Sequence, residues 1–311
     1  MKMWTTTTAM AMMALCVLSI ACAPSAVSAM RPPKSMNLFV QRMMRHWNEA
    51  SEIATLEQEV EDYNAQWVAN AETQAQSFTR RRLICMPLDD RFNPSMGHFS
   101  HNHVQTGDKM SLPMLFWRAV TLNGAEVPWL FSVKRVDAEE GGSIRVGISQ
   151  RVADVPKDMA ASALDEVVGG ILDFRAPANY VFLPWWMMRA LGLRPRDVVD
   201  VELVTKTPPG SLALLRPHSS KFAKTIDNPQ AVLETELRHY SSLTQGSTIA
   251  FDYNGERYWF DVAELRSGVR GEKKPIVKVQ DCDLSTNFLP SKEEVLKRKL
   301  MRQKAMEEAQ E

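Results

Sequence analysis

Cysteine is scarce in this chain, which has four among 311 residues, at positions 16, 22, 85 and 282. No pair shows the Cys-x-x-Cys spacing of a zinc ribbon or a thiol redox site. The low count and the spacing exclude a disulfide framework and a cysteine-ligated zinc site. A single bridge between Cys85 and Cys282 is left open.

The chain also lacks an excess of charge of either sign, since 37 Lys and Arg side chains balance 37 Asp and Glu side chains. Without a strongly basic domain, no nucleic-acid partner is expected. Two Gly-Gly pairs, at 141–142 and 169–170, are not followed by the residues of a phosphate-binding loop and are interpreted as turn signals. Apolar residues make up 45% of the chain, which is typical of a globular protein with a real core.

Histidines are few, and three of them lie close together at His98, His101 and His103, in a loop between Pro87 and Gly107. Such a cluster can bind a metal, but no acidic or thiol ligand accompanies it. We therefore expect solvated histidines and no metal site.

Catalytic combinations are absent as well. Cys85 and Cys282 have no histidine beside them in sequence, and Asp281 and Asp283 are interpreted as a solvated pair. The sequence therefore predicts no catalytic residue and no cofactor.

The most apolar stretch of the body, Tyr180–Leu193, has a partner 71 residues upstream in Ser111–Val120. Both copies contain Leu-Pro and, five residues after the proline, Arg-Ala. We predict one unit used twice: a strand end, a proline at the first helical position, a short apolar helix and a second strand. Chance similarity between two apolar segments is the alternative.

Residues 1–29 have the pattern of a secretory signal peptide. Lys2 is followed by an apolar run at 9–23 that is short for a membrane span, and small residues place the cleavage site after Ala29. An uncleaved membrane anchor is the alternative.

Residues 30–77 form a separate N-terminal extension in this prediction. Its first part is basic and acid-poor up to Glu49, like a transit peptide or the basic start of a helix. From Met36 to Gln76 the spacing predicts a helix with one apolar stripe, formed by Ile53, Leu56, Val60, Tyr63 and Trp67. The stripe indicates a helix that docks on the body or on a partner, and a solvated extension is the alternative.

The body begins at Phe78, where the sequence predicts a strand over Phe78–Met86 with Arg80–Arg82 as its solvated end. Residues 78–207 are assigned to a first subdomain that contains an insert at 137–170. Within this insert the pattern predicts a strand at 143–149 and a helix at 157–168.

Residues 208–290 are assigned to a second, α/β subdomain. Asn228 and Pro229 predict a helix start, and Asn254-Gly255 between apolar runs predicts a β-hairpin. Residues 291–311 predict an exposed, charged helical tail.

The chain resembles the N-terminal domain of the ubiquitin fusion degradation protein family. The match covers roughly residues 78–288 and is carried by two motifs, Leu-Pro-x-Trp-Met-Met and a longer motif that runs from Phe222 to Ile249. Their most specific positions are Leu183, Pro184, Trp186, Met187, Met188, Phe222, Asn228, Pro229, Leu233, Leu237, Leu243 and Gly246.

The resemblance implies a β-rich α+β fold, with a double-psi β-barrel followed by a small α/β subdomain. It also implies a non-enzymatic adaptor that binds ubiquitin or a ubiquitin-like protein and delivers modified substrates to an AAA unfoldase of the valosin-containing-protein type. Large apolar signature residues such as Trp186 are expected in the core, so the ubiquitin-binding residues stay unassigned. A scaffold of the same fold that assembles through its N-terminal helix is the alternative.

Three features depart from the family pattern: the signal-like N-terminus, the long insert, and residues 289–311, which show no recognisable unfoldase-binding or co-adaptor-binding segment. Binding to the unfoldase and its co-adaptor by the usual route is therefore in doubt. Because residues 1–45 resemble a two-part address, we expect entry into the secretory pathway and delivery to the compartment around a complex plastid. The endoplasmic reticulum lumen or a membrane anchor is the alternative.

Overall fold

The computed structural model describes residues 38–89, 104–136 and 164–308, and its contacts divide the chain between Ala54 and Thr55. Its helices are α1 (Leu38–Asn70), α2 (Gln74–Ser77), α3 (Leu115–Leu122), α4 (Trp185–Ala190), α5 (Lys221–Thr225), α6 (Pro229–Glu236) and α7 (Lys292–Glu308), with a 3₁₀ turn at Leu237–His239. Among these described helices, none is long and apolar enough to cross a lipid bilayer.

Six strands close into a barrel in the order β1-β5-β2-β4-β3-β6. They are β1 (Arg80–Pro87), β2 (Lys109–Pro113), β3 (Leu130–Arg135), β4 (Glu166–Ala176), β5 (Tyr180–Leu183) and β6 (Val198–Val204). The parallel pairs are β1 with β5 and β2 with β4, and the remaining neighbours are antiparallel. A closed ring leaves no unpaired edge, which suits a sheet with an apolar interior.

The predicted repeat is confirmed by this pairing. Exchanging β1 with β4, β2 with β5 and β3 with β6 leaves every neighbour relation in the ring unchanged. In the β2–β5 pair, Ser111 lies opposite Phe182, which is 71 positions further along the chain. In the β3–β6 pair, Phe131 lies opposite Leu203 and Ser132 lies opposite Glu202. These partners are 72 and 70 positions apart, one on each side of the offset of 71. The offset of 71 read from the sequence therefore relates β2 to β5 and β3 to β6, which are two of the three strand pairs exchanged by the pseudo-twofold.

The predicted place of the two prolines was wrong by one or two residues. Pro184 caps α4 with an extended ψ of 146°, and Pro113 ends β2 two positions before α3 begins. A proline has no N–H to donate, so it also fits the last position of a strand. Each proline here closes a strand and lets the next residues turn into the helix.

The predicted insert at 137–170 was wrong at its C-terminal end. Residues from Glu166 onward form β4, so the helix predicted up to residue 168 is absent from the described part, and the strand predicted at 143–149 lies outside it. Gly169 and Gly170 are strand residues here. A Cβ on Gly169 would lie 2.5 Å from the Asp108 carbonyl oxygen, and one on Gly170 would lie 2.2 Å from Ser241 Oγ. Close approach of neighbouring atoms, rather than a turn, requires glycine at both positions.

The second subdomain is built on a sheet in the order β11-β10-β7-β13, with β9 paired to β10 and a separate pair of β8 and β12. These strands are β7 (Gly210–Pro217), β8 (Ser242–Thr244), β9 (Thr248–Tyr253), β10 (Glu256–Ser267), β11 (Glu272–Lys273), β12 (Ile276–Lys278) and β13 (Ser285–Phe288). The hairpin predicted at Asn254-Gly255 is confirmed, since both residues have positive φ between β9 and β10. Phe222, Phe251 and Phe260 form the aromatic centre of the core beneath this sheet.

Arg80–Arg82 was predicted to be the solvated end of a strand, and this was wrong for two of the three residues. Arg81 and Arg82 are buried, and Arg82 donates to Asp200 across the β1–β6 pair. The guanidinium of Arg82 also lies 3.6 Å from the ring centre of Tyr63, on the second half of α1. Burial is tolerated because the charge has a carboxylate and an aromatic face as partners.

The helical extension was predicted as one helix over Met36–Gln76, but α1 ends at Asn70 and α2 follows. From Thr55 onward α1 docks on the barrel, where Leu56 and Val60 pack against Ile84 and Val198. Asn64 accepts from the N–H of Arg82 and donates to its carbonyl, both at 2.8 Å. The apolar stripe therefore has a docking role in this half of the helix.

Candidate binding surface

The family-signature residues lie mainly inside the second half of the barrel and under the second subdomain. Those with an exposed fraction of 4% or less are Leu183, Trp186, Met187, Met188, Phe222, Leu233, Leu237 and Leu243. Three others shape the backbone: Pro184 and Asn228 cap helices, and Pro229 starts α6. Gly246 has a φ of +83°, which favours glycine.

The signature converges on a joint between the barrel and the second subdomain, centred on Asp108. This carboxylate is fully buried and accepts hydrogen bonds from the N–H of Gly170 in the barrel and the N–H of Ser242 in the second subdomain. Lys109 lies 3.9 Å from the other carboxylate oxygen and donates to Ser241. Burial raises the pKa of Asp108, against the opposing effects of Lys109 and the N–H donors.

Trp186 completes the joint. Its Nε1 donates to the carbonyl of Gly107 at 2.7 Å, and its ring packs against Tyr240 of the second subdomain. Tyr240 in turn donates to the Ala250 carbonyl and is fully buried. The most specific sequence signal therefore describes how two subdomains are joined, and it leaves little side-chain surface for a partner.

A different set of aromatic side chains faces outward on the barrel, and we name it the aromatic patch: Trp117, Trp129 and Phe174. The ring centres are 5.4 Å apart for Trp117–Trp129, 5.8 Å for Trp117–Phe174 and 6.2 Å for Trp129–Phe174. The first two contacts are edge-to-face, which is a favourable arrangement for aromatic pairs. Trp129 is also fixed by a hydrogen bond from Nε1 to the Ala125 carbonyl.

The aromatic patch is accessible. Trp117 is 44% exposed, and Met114, which lies one helical turn earlier, is 65% exposed. Trp129 and Phe174 are half-buried, and the charged side chains of Arg118, Glu126 and Arg175 lie nearby in sequence and are exposed. Large rings held in place by each other, with charges close by, are typical of protein-binding surfaces.

Sequence reasoning did not identify the aromatic patch, because its members come from α3, the loop before β3, and β4. At the offset of 71, Trp117 corresponds to Met188, which is fully buried, so the repeat itself gave no sign that one copy faces outward. A tryptophan on a short helix otherwise rich in apolar residues looks like a core residue until the partner strands are known.

Among the described residues, no group of His, Cys, Asp and Glu side chains is placed to hold a metal ion. His98, His101 and His103, and the predicted cleavage position Ala29, lie outside the described ranges. Cys85 and Cys282 are free thiols in the structure, so the bridge that the sequence left open is not formed. Burial raises the pKa of the Cys85 thiol far above its ordinary value, which disfavours the reactive thiolate.

Comparison with known families gives two matches that follow one another along the chain. Residues 90–207 match the sequence model described as Ubiquitin fusion degradation protein UFD1, N-terminal subdomain 1. Residues 209–291 match Ubiquitin fusion degradation protein UFD1, N-terminal subdomain 2. Together these ranges take in the barrel from β2 onward and the second subdomain.

Several curated proteins are similar to the chain over part of its length. The Ubiquitin fusion degradation protein 1 homolog of Caenorhabditis elegans is 38% identical over 121 residues, 39% of this chain and 33% of the relative. Ubiquitin fusion degradation protein 1 of Saccharomyces cerevisiae is 36% identical over 122 residues, 39% of this chain and 32% of the relative. The human Ubiquitin recognition factor in ER-associated degradation protein 1 is 34% identical over 119 residues, 38% of this chain and 36% of the relative. The chain thus spans about a third of the length of these relatives.

Proposed function

The chain belongs to the ubiquitin fusion degradation protein family, and from this premise we propose that it is a non-enzymatic adaptor that binds ubiquitin or a ubiquitin-like protein. The family match supports a ubiquitin-related role, and one relative is named as a ubiquitin recognition factor in ER-associated degradation. The buried, protonated thiol of Cys85 and the structural use of Asp108 support a binding role rather than catalysis.

We assign the binding of the modifier to the aromatic patch, and its exposure is the observation that carries this assignment. The signature residues are buried in the joint, so they are poorly placed to touch a folded partner. Trp117 and Met114 instead offer apolar area to solvent. Exposed tryptophans fixed by neighbouring rings are the side chains that most often dominate the energy of protein interfaces.

We further propose that the adaptor delivers modified substrates to an AAA unfoldase of the valosin-containing-protein type. This rests on family membership alone, because residues 289–311 show none of the usual binding segments. A pull-down of such an unfoldase by the purified protein, with and without ubiquitinated substrate, tests the step. Co-purification at micromolar concentrations that needs neither nucleotide nor substrate supports direct binding to the unfoldase. Failure to co-purify contradicts direct binding.

The pseudo-twofold pairing supports the double-psi type of barrel that the family resemblance implies. One half consists of β1, β2, α3 and β3, and the other of β4, β5, α4 and β6. The second strand of each half lies parallel to the first strand of the other half. An experimental structure that traces both crossovers between the paired halves tests the assignment.

For residues 1–45 we propose the role of a two-part targeting address, with the compartment around a complex plastid as the destination. The apolar run followed by a basic, acid-poor stretch supports it. A reporter fused to residues 1–45 is expected to enter the secretory pathway and reach that compartment. A reporter that stays in the cytosol contradicts the proposal.

The proposed function is tested by titrating ¹⁵N-labelled ubiquitin with the purified protein and following the amide shifts. Shifts that cluster on one face of ubiquitin are expected. If no shift appears at millimolar protein, ubiquitin binding is contradicted, and the scaffold of the same fold becomes the better account. Repeating the titration with other ubiquitin-like proteins then distinguishes a protein that binds a different modifier from one that binds none.

A further inference from the structure

A second surface lies mainly in the second subdomain, and we name it the α6 groove; Val127, in the loop before Trp129, also lines it. It has a volume of about 980 Å³ and runs between one face of α6 and the segment from Val279 to Thr286. On the helix side it is lined by Gln230, Glu234 and Arg238, which recur at the spacing of one helical face. Two chain segments, the face of α6 and residues 279–286, form its two sides, so an extended segment can lie between them.

One wall of the α6 groove includes part of β13, a strand at the edge of its sheet. Among the described strands, β13 pairs only with β7, so it is the outermost strand of its sheet. The N–H of Leu289 donates to the Leu215 carbonyl on β7. Because backbone groups alternate in direction along a strand, those of Thr286 and Phe288 point away from β7. Such unpaired groups are the usual partners of an added peptide strand.

The groove also contains a buried hydroxyl without a partner in the described part of the molecule. Thr286 lines the groove and is 2% exposed, and its Oγ1 has no hydrogen-bond partner. Leaving a buried hydroxyl unpaired costs stability, so such groups are uncommon in folded proteins. A ligand in the groove could supply the missing bond.

The charges along the α6 groove are mainly negative. Among the described residues that line it, Glu234, Asp281 and Asp283 are acidic and Arg238 is the one cation. None of these three carboxylates forms an ion pair within residues 38–89, 104–136 and 164–308. The imbalance favours a basic partner, because opposite charges steer association and like charges oppose it.

We propose that the α6 groove binds an extended, basic polypeptide segment, which hydrogen-bonds to Thr286 and places its cationic side chains against Glu234, Asp281 and Asp283. Its lining shares no residue with the aromatic patch, and the proposal does not depend on ubiquitin binding. It gives the adaptor a second contact, suited to an unstructured basic tail of a substrate or partner protein.

The test uses the whole protein, ¹⁵N-labelled, and two dye-labelled seven-residue peptides. One alternates valine with arginine, and the other replaces each arginine with glutamate. We expect the basic peptide to bind at least tenfold more tightly by fluorescence anisotropy and to shift the amides of Thr286 and of the neighbouring groove residues. Equal binding of both peptides, or shifts confined to other surfaces, would overturn the proposal.

Two kinds of variant locate the binding site. Thr286→Val removes the unpaired hydroxyl with little change of shape, so thermal stability should be unchanged or higher. The affinity for the basic peptide should fall by about fivefold. The double variant Glu234→Lys with Asp283→Lys should lower the affinity for the same peptide by at least about tenfold. The matched control, Glu59→Lys with Glu61→Lys on exposed positions of α1, makes the same charge change away from the groove.

The control separates local from overall charge. Weaker peptide binding by the double variant in the groove, with unchanged binding by the double variant on α1, supports the proposal. A similar loss of affinity in both double variants would mean that only the net charge of the protein matters, and this would overturn the proposal. Peptide binding is read without ubiquitin, so its failure and the failure of ubiquitin binding are observed separately.

Discussion

At the scale of single residues, the joint between the subdomains depends on two glycines that have no room for a side chain. Gly169 and Gly170 lie on β4 beside Asp108 and Ser241, where an added Cβ would overlap neighbouring atoms. The carboxylate of Asp108 can reach both subdomains only because these backbones approach so closely.

Gly169→Ala is expected to destabilise the protein by about 3 kcal/mol, because the new methyl meets backbone as well as the Met187 side chain. The free energy of unfolding in urea measures this. Gly124→Ala is the control: Gly124 has a φ of +56° but nothing within 4 Å of an added Cβ, so only about 1 kcal/mol of backbone strain is expected. Equal losses at the two sites would contradict the close approach.

Asp261 gives a pH-dependent prediction. Burial alone would raise its pKa, but hydrogen bonds from His218 and Lys292, both at 2.7 Å, outweigh burial and lower the pKa to about 2. A carboxyl with a lowered folded-state pKa contributes stability that is present above its ordinary pKa near 4 and is lost as the pH falls through 2.

Asp261→Asn should therefore remove about 2 kcal/mol of stability at neutral pH and flatten the loss of stability between pH 4 and pH 2. Thermal melts across that range measure the effect, with Asp227→Asn, an exposed position, as the control. An acid-induced loss of the same size in Asp261→Asn and in the unmodified protein would contradict the assignment.

Individual residue environments were the least predictable feature of the sequence. Arg81 and Arg82 looked like a solvated charge run because the carboxylate partner of Arg82, Asp200, is 118 positions away. Gly169-Gly170 looked like a turn because glycine serves turns and close contacts alike. Both errors have the same physical origin, since the deciding neighbours belong to distant parts of the chain.

At the scale of elements, the second half of α1 is held by a small polar contact as well as by its apolar stripe. Asn64 pairs with both backbone groups of Arg82, and Tyr63 covers the guanidinium of the same residue. The helix therefore behaves as an added partner for β1.

Asn64→Ala should weaken this docking by about 2 kcal/mol, because two hydrogen bonds are lost and the N–H of Arg82 is left without its partner. Hydrogen exchange of the amides from Thr55 to Asn70 is expected to become faster. Gln66→Ala, at an exposed position two residues on, should leave exchange unchanged. Unchanged exchange in Asn64→Ala would show that the apolar stripe alone holds the helix.

Elements were more predictable than residue environments where the signal was local. The Asn254-Gly255 hairpin and the Asn228 cap follow from the conformations those residues favour, and both are present. The helix predicted up to residue 168 was wrong at its end because the apolar residues at the start of β4 are buried inside a ring that only pairing with β2 and β3 creates.

At the scale of the whole molecule, two tryptophans have opposite environments. Trp186 is buried in the joint, and Trp117 is exposed in the aromatic patch. Trp186→Ala should cost about 3–5 kcal/mol of unfolding free energy, because a large buried ring and its bond to Gly107 are lost. Urea unfolding measures this, and a variant as stable as the unmodified protein would contradict the core role.

The architecture was more accessible to sequence reasoning than the aromatic patch was. The repeat predicted the twofold relation of the barrel because related segments keep their spacing. The aromatic patch had no such signal, since Trp117, Trp129 and Phe174 come together only through tertiary folding.

The central claim, that the protein binds ubiquitin through the aromatic patch, is tested most directly by comparing ubiquitin affinities of three forms. These are the unmodified protein, Trp117→Ala, and Trp47→Ala as a control at another exposed tryptophan, on the first half of α1. We expect at least about a tenfold loss of affinity for Trp117→Ala, with thermal stability close to that of the unmodified protein, and no change for Trp47→Ala. Equal affinities in all three forms would contradict the assignment of ubiquitin binding to this patch.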